Sequence, residues 1–294
     1  MRNYLDLVPI SAKIHKKQNR MSVFCIILAV LLVTTIFGMA DMFVRSQIMK
    51  TQAETGNWHI GIQSIDAQTA DVIATRPDIE AFSSYSILNY NGEEGYSLNG
   101  TNTVICGAEE ELLSKIFPNM LTDGKFPQTE KEALVTENAK GILELSIGEQ
   151  ISMKAPDGKE YAFEISGFVE NTSNLMSNGF YGIFVTDEAF YNICPDTNLT
   201  KNAATFYVQF ASTKNVQDKI SDLRTAFNLS DEQVFENTKL LGLLGQSVNS
   251  FMMQVYVAAA VLFVLVLFAG IMMIASSLNS NVAQRTEFFG LMRC

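Results

Sequence analysis

A chain of 294 residues with 31 acidic and 21 basic side chains, net charge −10, is poorly matched to a nucleic-acid backbone. Its four cysteines are scattered and make no disulfide framework. Its hydrophobic residues, 48% of the total, are unevenly spread: two uncharged apolar runs bracket a middle segment of ordinary globular composition.

Residues 1–20 hold Arg2, Lys13, Lys16, Lys17 and Arg20 against a single Asp6. They read as a cytoplasmic basic amphipathic helix leading into the membrane. The first apolar run, Met21 to Ala40, would as a helix cover about 30 Å, the thickness of a bilayer core. It is taken as transmembrane helix 1 over 21–44. Gly38-Met39-Ala40 would pass as a signal-peptide cleavage site, but the run exceeds a typical signal h-region and a second span follows. Asp41, with Arg45 four places on, falls at the outer end of this span and is read as a solvated interfacial charge.

Residues 45–250 contain 14 Lys and Arg against 28 Asp and Glu, a net −14, leaving +4 for the rest of the chain. Positive flanks mark the cytoplasmic side, so both termini are expected in the cytoplasm and the acidic segment outside the cell membrane. Residues 45–229 read as an α+β extracytoplasmic domain. HIGIQSI (59–65) alternates as a strand, and Asp66 caps a short helix that ends before Pro77. Val104-Ile105 leads into EEELLSKIF, a helix stopped by Pro118. Asp157-Gly158 separates two alternating runs, a hairpin signal. GFYGIFV is a strand, with Thr186 capping DEAFYNI after it. TFYVQFA puts Phe206, Val208 and Phe210 on one face, followed by a helix with Val216, Ile220, Leu223 and Phe227 on its inner stripe. Trp58 is read as a core or interface residue. Cys106 and Cys194 are read as two buried thiols rather than a bridge.

Ser230-x-x-Gln233 is a capping-box pattern, and residues 230–250 are predicted to form a stalk helix with Val234, Leu241, Leu244 and Val248 as its apolar stripe. The competing reading is an interfacial linker broken at Gly242 and Gly245. Transmembrane helix 2 is placed at 251–278. No metal ligand set, Walker A loop, G-x-S-x-G or H-E-x-x-H pattern occurs, and His15 and His59 fall on opposite sides of the membrane in this reading. The residues imply neither an enzyme nor a cofactor.

The tail VAQRTEFFGLMRC resembles the segment after the second span of FtsX-like and MacB-like ABC transporter permeases. Arg285, Glu287, Gly290 and Arg293 match the pattern R-x-x-E-hydrophobic-G-hydrophobic-hydrophobic-R, with Glu287 two places after Arg285 where the family has three. VICGAEEELL, LTDGKFPQTEKEALVTENAK, LSIGEQISM and FEISGFVEN follow the order of short motifs in that family's extracytoplasmic domain. The resemblance implies a MacB-like periplasmic core type of fold and a permease subunit. It also implies a separate cytoplasmic ABC ATPase as partner, besides membrane lipids, and a peptide, lipid or lipoprotein-type substrate. On the same footing 279–294 is a cytoplasmic coupling helix, the start of the permease domain. Arg285, Glu287, Phe288, Gly290, Leu291 and Arg293 would dock into the ATPase; charge alone would make the arginines membrane anchors. Such permeases carry further spans or a second permease copy, so the chain is expected to be the N-terminal part of a longer unit. A two-span sensory receptor shares the topology, although the tail lacks the heptads of a signalling linker.

Overall fold

The computed structural model describes residues 16–171, 178–194, 204–247, 253–255, 257–272 and 275. The chain divides into two compact units, Met1–Gln47 with Phe251–Cys294, and Ile48–Ser250.

The helix α1 (Lys16–Thr55) has 40 residues, of which those up to Gln47 belong to the first unit. At 1.5 Å per residue that is about 60 Å, twice a bilayer core, so the predicted span 21–44 takes up only part of it. Within α1 the Arg45 guanidinium meets Asp41 at 2.8 Å, and both side chains are more than half exposed. A second apolar helix runs over Met253–Met272. Their most apolar windows have mean hydropathies of 2.3 and 2.8, and almost none of either is buried. A core helix of a soluble domain would bury that face. Inside this unit Phe37 meets Phe263 edge-on at 5.7 Å. Gly270 is close enough to Ala29 that an added Cβ would sit 3.7 Å from the alanine methyl, the small-residue contact by which membrane helices approach.

Among its described residues the second unit carries eleven strands: β1 (Ile60–Gln63), β2 (Ile79–Leu88), β3 (Ser97–Leu98), β4 (Thr101–Ala108), β5 (Leu121–Gly124), β6 (Glu132–Thr136), β7 (Gln150–Lys154), β8 (Glu160–Val169), β9 (Tyr181–Thr186), β10 (Ala204–Phe210) and β11 (Val234–Glu236). Its helices among the described residues are α2 (Ala67–Ala74), a five-residue π-turn (Leu112–Ile116), α3 (Glu137–Leu143), α4 (Asp187–Ile193), α5 (Val216–Phe227) and α6 (Thr238–Leu243). The pairings separate two halves. The order β11-β1-β10-β2 is antiparallel throughout, with α2 between β1 and β2 and α5 between β10 and β11. Numbered within this half the order is 4-1-3-2, a split-βαβ, ferredoxin-like sheet. Everything between β2 and β10 is inserted into it. Strands β4, β3, β7, β8, β6 and β9 pair in sequence, and β9 pairs back onto β4, so the inserted half closes into a barrel. β2 serves both halves, pairing with β10 over Ile79–Ser86 and with β4 over Tyr85–Leu88.

Three apolar clusters fill this architecture. Ile60, Ile62, Val208 and Phe210 face Val216, Ile220 and Leu223 of α5. Each such side chain, fully buried, contributes about 1.5–3 kcal/mol. The barrel interior holds Ile105, Val135, Met153, Phe168 and Ile183, and the other side of the split-βαβ sheet meets Leu112, Leu113 and Ile116 of the π-turn. The local signals act as expected at several places. The Asp66 carboxylate accepts from the Thr69 amide at 2.8 Å and starts α2. Thr186 accepts from Ala189 and starts α4. Gly158, at φ +85°, turns the β7–β8 hairpin beside Asp157. Phe206, Val208 and Phe210 share one cluster. Cys106 and Cys194 are both buried, in different clusters.

EEELLSKIF is helical over 110–116 and stops before Pro118 as expected, its last turn being a π-turn closed by the Phe117 amide on the Leu112 carbonyl, 2.7 Å. One expectation is corrected. The predicted stalk helix over 230–250 is not formed: β11 occupies Val234–Glu236 and α6 is six residues long. Ser230 and Gln233 do meet, the Ser230 amide donating to Gln233 Oε1 at 3.0 Å, but as a turn. The Gln233 carbonyl accepts from the Gln63 amide at 2.8 Å, and pairing along β1 takes the backbone away from a helix. Residues 248–250 lie outside the described residues.

Candidate functional site

All six residues expected to engage an ATPase, Arg285, Glu287, Phe288, Gly290, Leu291 and Arg293, lie outside the described residues. What the structure brings together is an aromatic groove on the outer domain, on the sheet face turned away from α2 and α5. Because side chains alternate along a strand, Tyr207 points opposite to Phe206 and Val208. It meets Trp58 at 5.0 Å, Phe117 at 5.3 Å, Tyr85 at 6.3 Å and Phe235 at 6.3 Å between ring centres. Such edge and tilted contacts contribute about 0.5–1.5 kcal/mol each beyond their area.

Two glycines admit these rings. Gly61 stands opposite Phe235 in the β1–β11 ladder, and a Cβ there would lie 2.1 Å from the ring. Gly56, at φ +88°, ends α1 with Phe117 so near that a Cβ would lie 2.6 Å from it. The Asn57 amide donates to the Ile116 carbonyl at 2.7 Å, and its side chain donates to the Lys115 carbonyl at 3.0 Å. The end of α1 is thereby tied to the π-turn.

Tyr85, Leu112, Phe117, Met120 and Tyr207 form the walls of a cavity of about 370 Å³, with Glu54 and Glu170 at its mouth. Lys239 binds Glu54 at 2.7 Å and holds its carboxyl below the usual range. Burial drives the Tyr207 hydroxyl up to about 12, and Tyr85 rises well above its usual value for the same reason. The Cys106 thiol, 3.3 Å from the Tyr85 hydroxyl, is also pushed to about 12 by burial. Nucleophiles are activated by a depressed pKa or an adjacent base. The potential nucleophiles here are held neutral, and the groove combines aromatic and apolar walls with the carboxylates of Glu54 and Glu170.

His59 plays a structural part. Its Nδ1 accepts from the Phe210 amide at 2.9 Å and its ring stacks on Phe210, with centres 5.9 Å apart. Among the described residues no group of three or more His, Cys, Asp or Glu is placed to hold a metal ion. Trp58 is partly buried, and its indole N–H donates to the Thr55 carbonyl at 2.6 Å. Sequence reasoning found Trp58 but missed Tyr85, Phe117 and Tyr207 as partners. The one signal for them was the out-of-phase aromatic in TFYVQFA.

No curated protein matches the chain. Among solved structures, the periplasmic region of MacB from Actinobacillus actinomycetemcomitans is similar with a TM-score of 0.44 and 9% identity, covering 63% of this chain and 90% of that one. The extracellular domain of the noncanonical ABC-type transporter YknZ from Gram-positive bacteria gives 0.41 and 8%, covering 61% and 98%. The sequence model of the MacB-like periplasmic core domain matches residues 21–226, more than two thirds of the chain. The chain belongs to that family, that of the extracytoplasmic domain of MacB-like ABC transporter permeases.

Proposed function

We propose that this chain acts as the permease subunit of an ABC transporter and couples ATP hydrolysis in a separate cytoplasmic ATPase to movement of its outer domain. The movement would serve export or mechanotransmission for a peptide, lipid or lipoprotein-type substrate. The observation that carries this reading is the family match over residues 21–226, which takes in the first apolar helix together with the outer domain. The second apolar helix, which follows that domain in the sequence, supports it. In this reading both termini are cytoplasmic in the cell membrane. Arg285 to Arg293 form a helix whose Phe288 and Leu291 fill a groove on the ATPase, while Glu287 and Arg293 make ionic contacts.

Gly290→Pro would break that helix, at a cost of about 3 kcal/mol locally. The test is made in the longer permease, co-expressed with its ATPase. The variant is expected to insert normally and to lose substrate-stimulated ATP hydrolysis. Stimulation at the wild-type level would remove the coupling assignment.

A further inference from the structure

The two halves of the outer domain are fastened where β2 passes from one sheet to the other, and the fastening is acidic. Ser84 pairs with Phe206 of β10, while the next residue, Tyr85, already pairs with Ala108 of β4. β4 and β9 are parallel, with Ala108 opposite Thr186, so the residues that leave these strands, Glu109 and Asp187, emerge side by side. Each is held by one of two consecutive serines of β2. Ser84 Oγ donates to Asp187 Oδ2, and Ser83 Oγ donates to Glu109 Oε2 at 3.4 Å. The second oxygen of Asp187, Oδ1, is buried without a hydrogen-bond partner. A buried carboxylate oxygen without a donor is costly when ionised, and two neighbouring carboxylates resist ionising together.

The surrounding groups give only partial relief, through hydroxyls, one backbone amide and the first turn of α4, where Asp187 sits. From β2 come the two serine hydroxyls and the Ser84 backbone amide, which donates to Glu109. From the end of β4 and the π-turn come Glu109, Glu110 and Glu111, with Lys115 bound to Glu111 at 2.7 Å. From α4 come Glu188 and Tyr191, whose phenol burial and these two carboxylates push up. Among the described residues neither Asp187 nor Glu109 has an ion-pair partner within 4.0 Å.

We propose that Asp187 and Glu109 hold one proton between them, and that this proton sets how firmly the barrel is fastened to the split-βαβ half. With the proton bound the joint is closed. With both groups ionised, repulsion across β2, β4 and β9 loosens it, so the outer domain senses external pH at its own hinge.

The sign follows from linkage. Burial raises the Asp187 carboxyl above its ordinary range in the folded state, and partial burial with Asp187 beside it raises the more exposed Glu109. The folded chain then keeps a proton that the unfolded chain gives up. This contribution is complete below the ordinary carboxylate range and is lost as pH rises through the folded-state value.

The test is hydrogen exchange on the full chain in lipid nanodiscs at pH 5 and pH 7.5, with each amide rate divided by its intrinsic rate at that pH. Protection over Ser83–Leu88 is expected to fall by roughly threefold or more at the higher pH in the wild type. Asp187→Asn is expected to keep the high protection at both. Any titration of His59 is common to wild type and variant and drops out of the comparison. Wild-type protection that does not change with pH overturns the proposal, as does an Asp187→Asn variant that shows the full wild-type fall. If Asp187→Asn does not fold, Glu109→Gln decides: a reduced fall supports the shared proton, and an undiminished one overturns it.

Discussion

His59 can accept the Phe210 amide proton through Nδ1 only while its ring is neutral. The side chain is nearly inaccessible, and burial, aided by Lys219, lowers its pKa from 6.5 to about 4. A folded-state value below the unfolded one means the stability is present above about pH 6.5 and lost as pH falls towards 4. Fully expressed, that shift corresponds to about 3 kcal/mol. His59→Gln keeps an acceptor for the Phe210 amide but no titrating ring. It is expected to be somewhat less stable at pH 7 and to lose less between pH 6.5 and 4, read from thermal unfolding midpoints of the full chain in detergent. A variant that declines as steeply as wild type would move the acid sensitivity elsewhere. The sequence showed a histidine beside a strand. It could not show that Phe210, 151 positions away, would present an unpaired amide to it.

At the scale of elements, local signals succeeded where the chain could satisfy them with nearby residues. Asp66 and Thr186 cap as expected because an N-cap needs only the amides of the following turn. The segment after Ser230 went otherwise. Its stripe, Val234 with Leu241, is buried as a helix would have buried it, but through a strand followed by a short helix. β1 offered an edge to pair with, and a completed ladder outweighed a modest helix preference across Gly242 and Gly245. Asn237 sits at the switch. Its Oδ1 accepts from the Leu240 amide at 3.1 Å to start α6, and its Nδ2 donates to the Trp58 carbonyl at 3.1 Å. Asn237→Ala removes the cap and strands a partly buried carbonyl, a loss of about 2 kcal/mol. Asn237→Asp keeps the cap but loses the donor and is expected to fall between. Denaturant midpoints for the pair measure the two roles separately.

At the scale of the whole molecule, topology is the first thing to measure. A cysteine placed at Gln68, exposed on α2, is expected to react with an impermeant maleimide on intact cells. One placed at Ser11, with Cys294 changed to serine, is expected to react only after permeabilisation. Labelling of Ser11→Cys in intact cells would reverse the orientation. The two apolar helices, the acidic segment between them and its α+β character were all legible, because they rest on composition and on periods of 2 and 3.6 residues that any local window carries. So was the family, from short motifs in a fixed order. The closed barrel inserted into a split-βαβ sheet was not legible, since β2, β3 and β6 find their partners across long stretches of chain. Nor were the aromatic groove and the Asp187–Glu109 joint, which depend on which strands lie side by side. Local patterning by itself marked the two apolar helices and the acidic α+β segment between them. Long-range strand pairing alone decided which side chains meet, because register is a property of two strands and is written in neither one.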